Sequence, residues 1–317
     1  MEKRVCVLGG SGFIGRHLVG LLQHEGYRVR VPTRRRQRSR HLLVNPAVEL
    51  VEGDLFSDGV LDRLFEGVDA VINLVGILNE SGPAGEGFRR AHVTLTELAL
   101  AACRRAGVPC YLHMSALGAD VDGPSLYQRT KGEAERLALA ANDGQLAVTV
   151  FRPSVVFGPE DSFLNRFAAL LRLAPGVFPL PSARTRFQPV YVGDVAQAFL
   201  RALQDDRLAG QSLDLVGPNR YTLLELVRLV ADWSGSRCRV IPAPDALARL
   251  QARVLGLLPG KPFSMDNYLS ATVDSISDHN ALPELGIHPT AVEAVAPGHL
   301  SGGRTARYDG HRRHAGR

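Results

Sequence analysis

The sequence predicts an α/β fold: a doubly wound parallel sheet with helices on both faces, followed by a smaller mixed lobe. Three observations carry this. A short apolar run near the start of the chain leads directly into Gly-Gly-Ser-Gly-Phe-Ile-Gly and then an amphipathic stretch. Strand-like and helix-like segments alternate from there to Pro153, the pattern of βαβ units. Beyond it, Pro159, Pro175, Pro179, Pro181 and Pro189 cut the chain into short pieces, and helical patterns dominate.

Taken in order, RVCVL at Arg4–Leu8 reads as a first, buried strand. The stretch Phe13–His24 places Ile14, Leu18, Leu21 and Leu22 on one helical face, and Gly26 ends it. Residues 28–32 alternate Val with Arg as a second strand. Residues 48–51, 70–75, 111–114 and 146–151 supply four more, with helical stretches at 88–106 and 126–141 between the last three. In the second half, helices are expected at 194–204, 223–234 and 245–258, and the strand-like pieces at 190–192 and 212–216 read as isolated. The segment from Ser301 has Gly, Arg and His without apolar periodicity. The expected organisation is a dinucleotide-binding domain over 1–153, a small substrate or partner lobe over 154–300, and a disordered basic tail over 301–317.

Composition narrows the function classes. With 45% apolar and 22% charged residues in 317, the chain has enough apolar sequence for a core that needs no disulfide or metal. No apolar stretch reaches the length of a membrane span, and strand-like sequence from Arg4 leaves no room for a leader, so a soluble intracellular protein is expected. The four cysteines form no CxxC pair and are expected to be reduced and buried. Five arginines between Arg34 and Arg40, with the basic tail, hold more than the whole net charge of +5. The body between them is mildly acidic, which argues against a nucleic-acid surface.

The glycine loop is the strongest motif. Gly9, Gly12 and Gly15, set between a strand and a helix, allow a tight turn, close approach of a pyrophosphate and close helix–strand packing. The loop residues Ser11, Phe13 and Ile14 sit where free N–H groups meet the phosphates. This is the Rossmann arrangement for a dinucleotide. Arg34 ends the second strand where an NAD site places a carboxylate for the ribose 2′-hydroxyl. A guanidinium there favours a 2′-phosphate, so NADPH is expected over NADH. Asp54, with Leu55 beside it, follows the third strand and is placed either to accept from the adenine amino group or simply to serve the turn. Val75 and Gly76 close the fourth, where small or apolar backbone runs along the cofactor.

Tyr127 and Lys131 are one helical turn apart and leave the same face. A lysine ammonium beside a phenol lowers its pKa and can hold a nicotinamide ribose, while the phenol exchanges a proton with a carbonyl. Ser115 closes the fifth strand, where its hydroxyl can orient that carbonyl. The chain has three lysines, Lys3, Lys131 and Lys261, so a lysine at this place stands out. Other residues read more plainly: Asp194 as a helix N-cap, Arg152 as a strand exit, and His113 as a satisfied core histidine. Arg184 and Arg186 are open either to solvent or to an anionic substrate. His311 and His314 lie in the tail without ordered partners.

The glycine loop, the YQRTK run at 127–131 and FRPSVVFGPED at 151–161 resemble the extended or atypical branch of the short-chain dehydrogenase/reductase superfamily. Longer phrases at 157–168, 187–196 and 215–227, with INLVGIL at 72–78 and LGIHPT at 285–290, are similar to the NADPH-binding accessory subunit of respiratory complex I and its bacterial relatives. This resemblance implies a tightly held NADPH, often without turnover, and a respiratory or quinone-linked partner. It also implies a cytoplasmic location, at most peripheral at the inner face of the cytoplasmic membrane. It places phosphates on 9–15, the 2′-phosphate on Arg34 and the ribose on Tyr127 and Lys131, with Pro153 and Val155 bordering the nicotinamide. Leu8 before the loop and His92 in place of a helix Asn depart from the pattern and bear on turnover, not on binding. Two alternatives stand beside the holder: an active NADPH-dependent reductase or nucleotide-sugar epimerase or dehydratase using Ser115, Tyr127 and Lys131, and an NADP(H)-sensing regulator.

Overall fold

The fold was analysed in a computed structural model that describes residues 3–44, 46–79, 85–174, 176–244 and 264–301. The first half runs β1 (Arg4–Leu8), α1 (Phe13–His24), β2 (Arg28–Thr33), β3 (Val48–Glu52), α2 (Val60–Phe65), β4 (Ala70–Asn73), α3 (Glu86–Arg89), α4 (Leu95–Ala106), β5 (Cys110–Met114), α5 (Leu126–Ala140) and β6 (Ala147–Pro153). It continues through β7 (Val156–Phe157), α6 (Leu164–Leu173), β8 (Val177–Leu180), β9 (Arg186–Phe187), β10 (Val190–Tyr191), α7 (Val192–Ala202) and β11 (Ser212–Leu215). After these come β12 (Tyr221–Thr222), α8 (Leu223–Trp233) and β13 (Arg239–Pro242).

Seven strands form the main sheet in the order β11-β6-β5-β4-β1-β2-β3, and every pairing is parallel. Strands covered on both faces read as unbroken apolar runs, and β1 is the case in point: Val5 to Leu8 are all buried. From β1 the chain steps outward to β3, then crosses to β4 on the other side. That reversal is the switch point where open parallel sheets leave a crevice at their carboxyl edge.

The chain forms two compact units. The first takes Met1–Pro153, Val192–Leu215 and Ser277–His288; the second takes Ser154–Tyr191, Val216–Ile276 and the chain from Pro289. The single boundary expected at Pro153 is therefore crossed back twice. The reason lies in β11 and α7, both read from sequence as parts of the second lobe. Leu213 and Leu215 are buried and pair with Phe151 and Pro153, so the segment expected to be isolated is the seventh strand of the sheet. α7 packs on α1, and Phe199 packs against Phe151 with ring centroids 4.0 Å apart and planes tilted by 32°. Asp194 lies in the first turn of α7, which begins at Val192, and is not its N-cap.

Two further differences are local. β4 ends at Asn73, not at 75, because the Asn73 Oδ1 accepts from the Val75 N–H and turns the chain out of the sheet. The long helix expected at 88–106 starts at Glu86 and contains a π turn at Arg90–Thr94. In the second unit, α6 and α8 bury Leu164, Leu171, Val227 and Val230 in one core. Around it β8 pairs with β13 and β7 with β10 in parallel, and β9 with β12 antiparallel. The helix expected at 245–258, Lys261, His311, His314 and the tail beyond Ser301 lie outside the described residues. Among the described residues no helix is long and apolar enough to cross a membrane.

Candidate functional site

The glycine loop leaves β1 at the carboxyl edge of the sheet. Gly9 adopts φ +80°, and a Cβ there would press to 3.2 Å on the Leu74 and Val75 backbone. At Gly15 a Cβ would overlap the Gly9 carbonyl oxygen and the Gly10 backbone, so α1 can sit this close only with glycine. α1 has no side-chain N-cap and no acidic residue in its first turn. The N–H groups of Phe13, Ile14 and Gly15 find no acceptor among the described residues. Open N–H donors at the positive end of a helix, over a cradle that any side chain would fill, fit a pyrophosphate.

Arg34 follows β2 directly and is exposed, with no acceptor among the described residues. Its neighbourhood is ordered around it. The Arg36 N–H donates to Glu52 at 3.0 Å, and Thr33 and Ser39 share a buried hydroxyl contact at 3.2 Å. Asp54 caps the turn after β3 by accepting from the Phe56 N–H at 3.2 Å. Its other oxygen lies 3.8 Å from Arg90, whose guanidinium covers the Phe56 ring. Leu55 packs against the core of the first unit.

The segment after β4 is shaped from below by two side chains. Asn73 donates to the Tyr111 hydroxyl at 3.0 Å and accepts from Val75. His92, in the π turn, accepts the Ile77 N–H on Nε2 at 3.2 Å. Its Nδ1 lies 2.9 Å from the Thr130 hydroxyl, which gives its own proton to the Leu126 carbonyl at 2.8 Å. The ring is thereby fixed as the neutral Nδ1–H tautomer. Burial and the nearby Lys131 push its pKa down to about 2. His92 thus holds the Gly76–Ile77 backbone, a use that a departure from the usual Asn did not announce.

α5 carries the remaining groups. Its start is specified by a capping box: Ser125 accepts from the Gln128 N–H, and the Gln128 side chain reaches back to the Ser125 backbone. Gly132 lets α5 lie on the backbone of the Asp120–Val121 turn, which a Cβ would overlap. Tyr127 rests edge-on against His92 and Phe88, centroids 5.6 and 6.2 Å away. Lys131 is buried and donates to the Met114 carbonyl at 2.8 Å. Its Nζ lies 3.4 Å from where a Gly76 Cβ would be, so it borders the backbone expected to run along the cofactor. Burial lowers its pKa to about 8, and the charge of Glu135 opposes that fall.

The Ser115 hydroxyl turns to another partner. It donates to Glu135 at 2.5 Å, and Glu135 is in turn paired with Arg152, whose Nε lies 2.7 Å away. Arg152 is therefore a buried carboxylate's counter-ion, not a bare strand exit. Sequence reading passed over Glu135, although it continues the Tyr127, Lys131 spacing by one more helical turn. Pro153 ends β6 with its carbonyl accepting from the Leu117 N–H at 2.9 Å. Val155 belongs to the second unit, where its carbonyl accepts from Val190.

His113 is buried, stacked at 6.1 Å on Tyr111, and both its ring nitrogens lack a hydrogen-bond partner among the described residues. It is a core histidine, but not one satisfied by those residues. Arg186 pairs with Asp274 at 2.7 Å, which removes it as a free anion ligand. The cysteines are all free thiols, with Cys6, Cys103 and Cys238 buried and Cys110 partly so. No metal-ligating cluster occurs among the described residues.

Comparison with known proteins agrees with this fold. The chain is 32% identical over 292 residues to the mitochondrial NADH dehydrogenase [ubiquinone] 1 alpha subcomplex subunit 9 of Arabidopsis thaliana, covering 87% of this chain and 71% of that one. It is also 32% identical over 246 residues to a ceramide reductase of Caulobacter vibrioides, covering 76% of this chain and 74% of that one. The fold matches a double mutant of DesIV, a dTDP-glucose 4,6-dehydratase from Streptomyces venezuelae solved with NAD bound, with a TM-score of 0.71 over 94% of this chain and 95% of that one at 22% identity. The sequence profile described as the NAD dependent epimerase/dehydratase family matches residues 5–215. With its parallel sheet, glycine loop and Tyr-Lys helix face, the chain belongs to the NAD-dependent epimerase/dehydratase family, an NAD(P)-binding protein of the short-chain dehydrogenase/reductase type.

Proposed function

We propose that the protein holds NADPH as a bound, structural cofactor in support of a respiratory or quinone-linked complex, from the cytoplasmic side. The relatives named as subunits of an NADH dehydrogenase support the partner, and the exposed Arg34 just after β2, with no acceptor among the described residues, supports the 2′-phosphate. Gly9, Ser11, Gly12, Phe13, Ile14 and Gly15 receive the phosphates, Asp54 and Leu55 the adenine side, and Val75, Gly76, Tyr127 and Lys131 the nicotinamide ribose. Pro153, at the end of β6, is assigned to the nicotinamide. When bound, the dinucleotide supplies a hydride donor or acceptor.

The observation that carries holding over turnover is the Ser115–Glu135 bond at 2.5 Å. A serine hydroxyl donates one hydrogen bond at a time, and here it donates to the Glu135 carboxylate. Directed there, it is turned away from the role of orienting a substrate carbonyl beside Tyr127, which supports holding over turnover. Lys131, by contrast, keeps its place beside Gly76 whether or not a proton moves.

The test is retention of cofactor in freshly purified protein, with release and mass spectrometry. Lys131→Ala is expected to lose cofactor. Tyr127→Phe is expected to keep it, since the change removes one hydrogen bond of about 1 kcal/mol and leaves the ring packing. In the host, Tyr127→Phe should also leave respiration unchanged; loss of that role with cofactor still bound overturns the holder. The ceramide reductase relative favours a second reading, reduction of a carbonyl in a lipid-like substrate. Stoichiometric oxidation of the bound cofactor by added carbonyl substrate, abolished in Tyr127→Phe, would decide for it.

A further inference from the structure

Lys131 and Glu135 are one helical turn apart on α5 and reach two consecutive residues at the end of β5. Lys131 Nζ donates to the Met114 carbonyl at 2.8 Å, and Glu135 accepts from the Ser115 hydroxyl at 2.5 Å. The other Glu135 oxygen is held by the Arg152 guanidinium and, at 3.4 Å, by the Ser212 hydroxyl of β11. Arg152 stands opposite Asp214 in the β6–β11 register, and Asp214 accepts from Ser277 at 2.7 Å. The result is a file of alternating charge across the carboxyl half of the sheet: Lys131 positive, Glu135 negative, Arg152 positive, Asp214 negative.

We propose that Glu135, fixed by Ser115 and Arg152 one helical turn from Lys131, is a positioning residue that acts through its charge and keeps the Lys131 ammonium cationic where the Met114 carbonyl holds it beside Gly76. An ammonium buried this deeply would otherwise tend to shed its proton, because burial penalises the charged form. Among the described residues, the groups facing it from the elements packed around it are few. The π turn contributes His92 and β5 contributes His113, both kept neutral by burial and therefore without charge above the mildly acid range. α5 contributes Tyr127 one turn before and Glu135 one turn after. Glu135 is the charge that opposes desolvation at Lys131, and Arg152 tempers it from the far side. Ser115, expected from sequence to serve a substrate, serves this carboxylate. The inference rests on the assignment of Lys131 to the cofactor ribose, and its test separates the two.

Because the chain has three lysines, protein labelled with 13C at lysine Cε gives three signals, assigned by Lys→Arg variants. Their chemical shifts, followed from pH 6 to 11, read the Lys131 charge directly. Glu135→Gln should move the Lys131 midpoint down by about one pH unit or more, the effect of removing one near opposite charge. Arg152→Met should move it up, and Glu135→Asp should bring it back towards wild type. Shifts of opposite sign are not produced by a merely structural brace. A Lys131 midpoint unchanged in Glu135→Gln, or one that falls in Arg152→Met, overturns the proposal. If Glu135→Gln does not fold, the upward shift in Arg152→Met decides alone. NADPH affinity measured by fluorescence on the same proteins tests the function separately. Full affinity in Lys131→Met would remove Lys131 from the cofactor site while leaving its charge control by Glu135 standing.

Discussion

Arg34 leaves β2 with its guanidinium in solvent and nothing to pair with among the described residues, so its charge is available to a ligand. Arg34→Asp should weaken NADPH at least about tenfold, the loss of one charge-assisted contact, and should spare NADH. Equal losses for both dinucleotides in a titration would remove the 2′-phosphate assignment. The two buried histidines give a second expectation. Burial holds His113 at about 3 and His92 at about 2, against 6.5 unfolded. A depressed folded pKa means that the unfolded chain binds more protons once pH falls below 6.5. Their stabilisation is full above that value and is lost as pH drops towards 3, at up to about 1.4 kcal/mol per pH unit for each ring. Urea unfolding at pH 4 to 7 should show this slope, and His113→Leu should remove its own share. An unchanged slope in that variant would mean that His113 titrates as an exposed ring does.

At the scale of elements, α5 decides the site. It is started by the Ser125–Gln128 capping box, seated by Gly132, and pinned at two points on the end of β5 by Lys131 and Glu135. Tyr127, Lys131 and Glu135 therefore move together if the helix moves. Gly132→Ala puts a Cβ at 2.6 Å from the Asp120 backbone, which no rotamer can relieve. It should destabilise the fold by about 1–3 kcal/mol, as overpacking does, and weaken NADPH as well. Thermal unfolding with parallel cofactor titration checks both; wild-type affinity with lowered stability would show that the helix shift does not reach Lys131. The π turn at Arg90–Thr94 is the other deciding element, since it sets His92 under Ile77.

For the whole molecule, a ligand that binds only the folded chain stabilises it by mass action. NADPH at 100 times its dissociation constant should add about 2.7 kcal/mol, and NADH at the same concentration should add less. Hydrogen exchange on NADPH addition should slow most at residues 9–16, 34–36 and 74–77, all in the first unit. Protection spread evenly over both units would contradict a site built on the carboxyl edge of the seven-stranded sheet.

The sequence by itself determined the order of the sheet elements up to Pro153, the place of the glycine loop and the shared face of Tyr127 and Lys131. Each of these is local: a buried parallel strand reads as an apolar run, and one helical turn brings residues four apart together. Only the tertiary structure decided that Ser115 answers to Glu135 and Glu135 to Arg152, because those pairs span 20 and 17 residues and depend on how α5 lies over β5 and β6. It also decided that β11 is a sheet strand. Four residues of alternating burial look the same wherever they are, and membership of the sheet is conferred by pairing with β6, some sixty residues earlier in the chain.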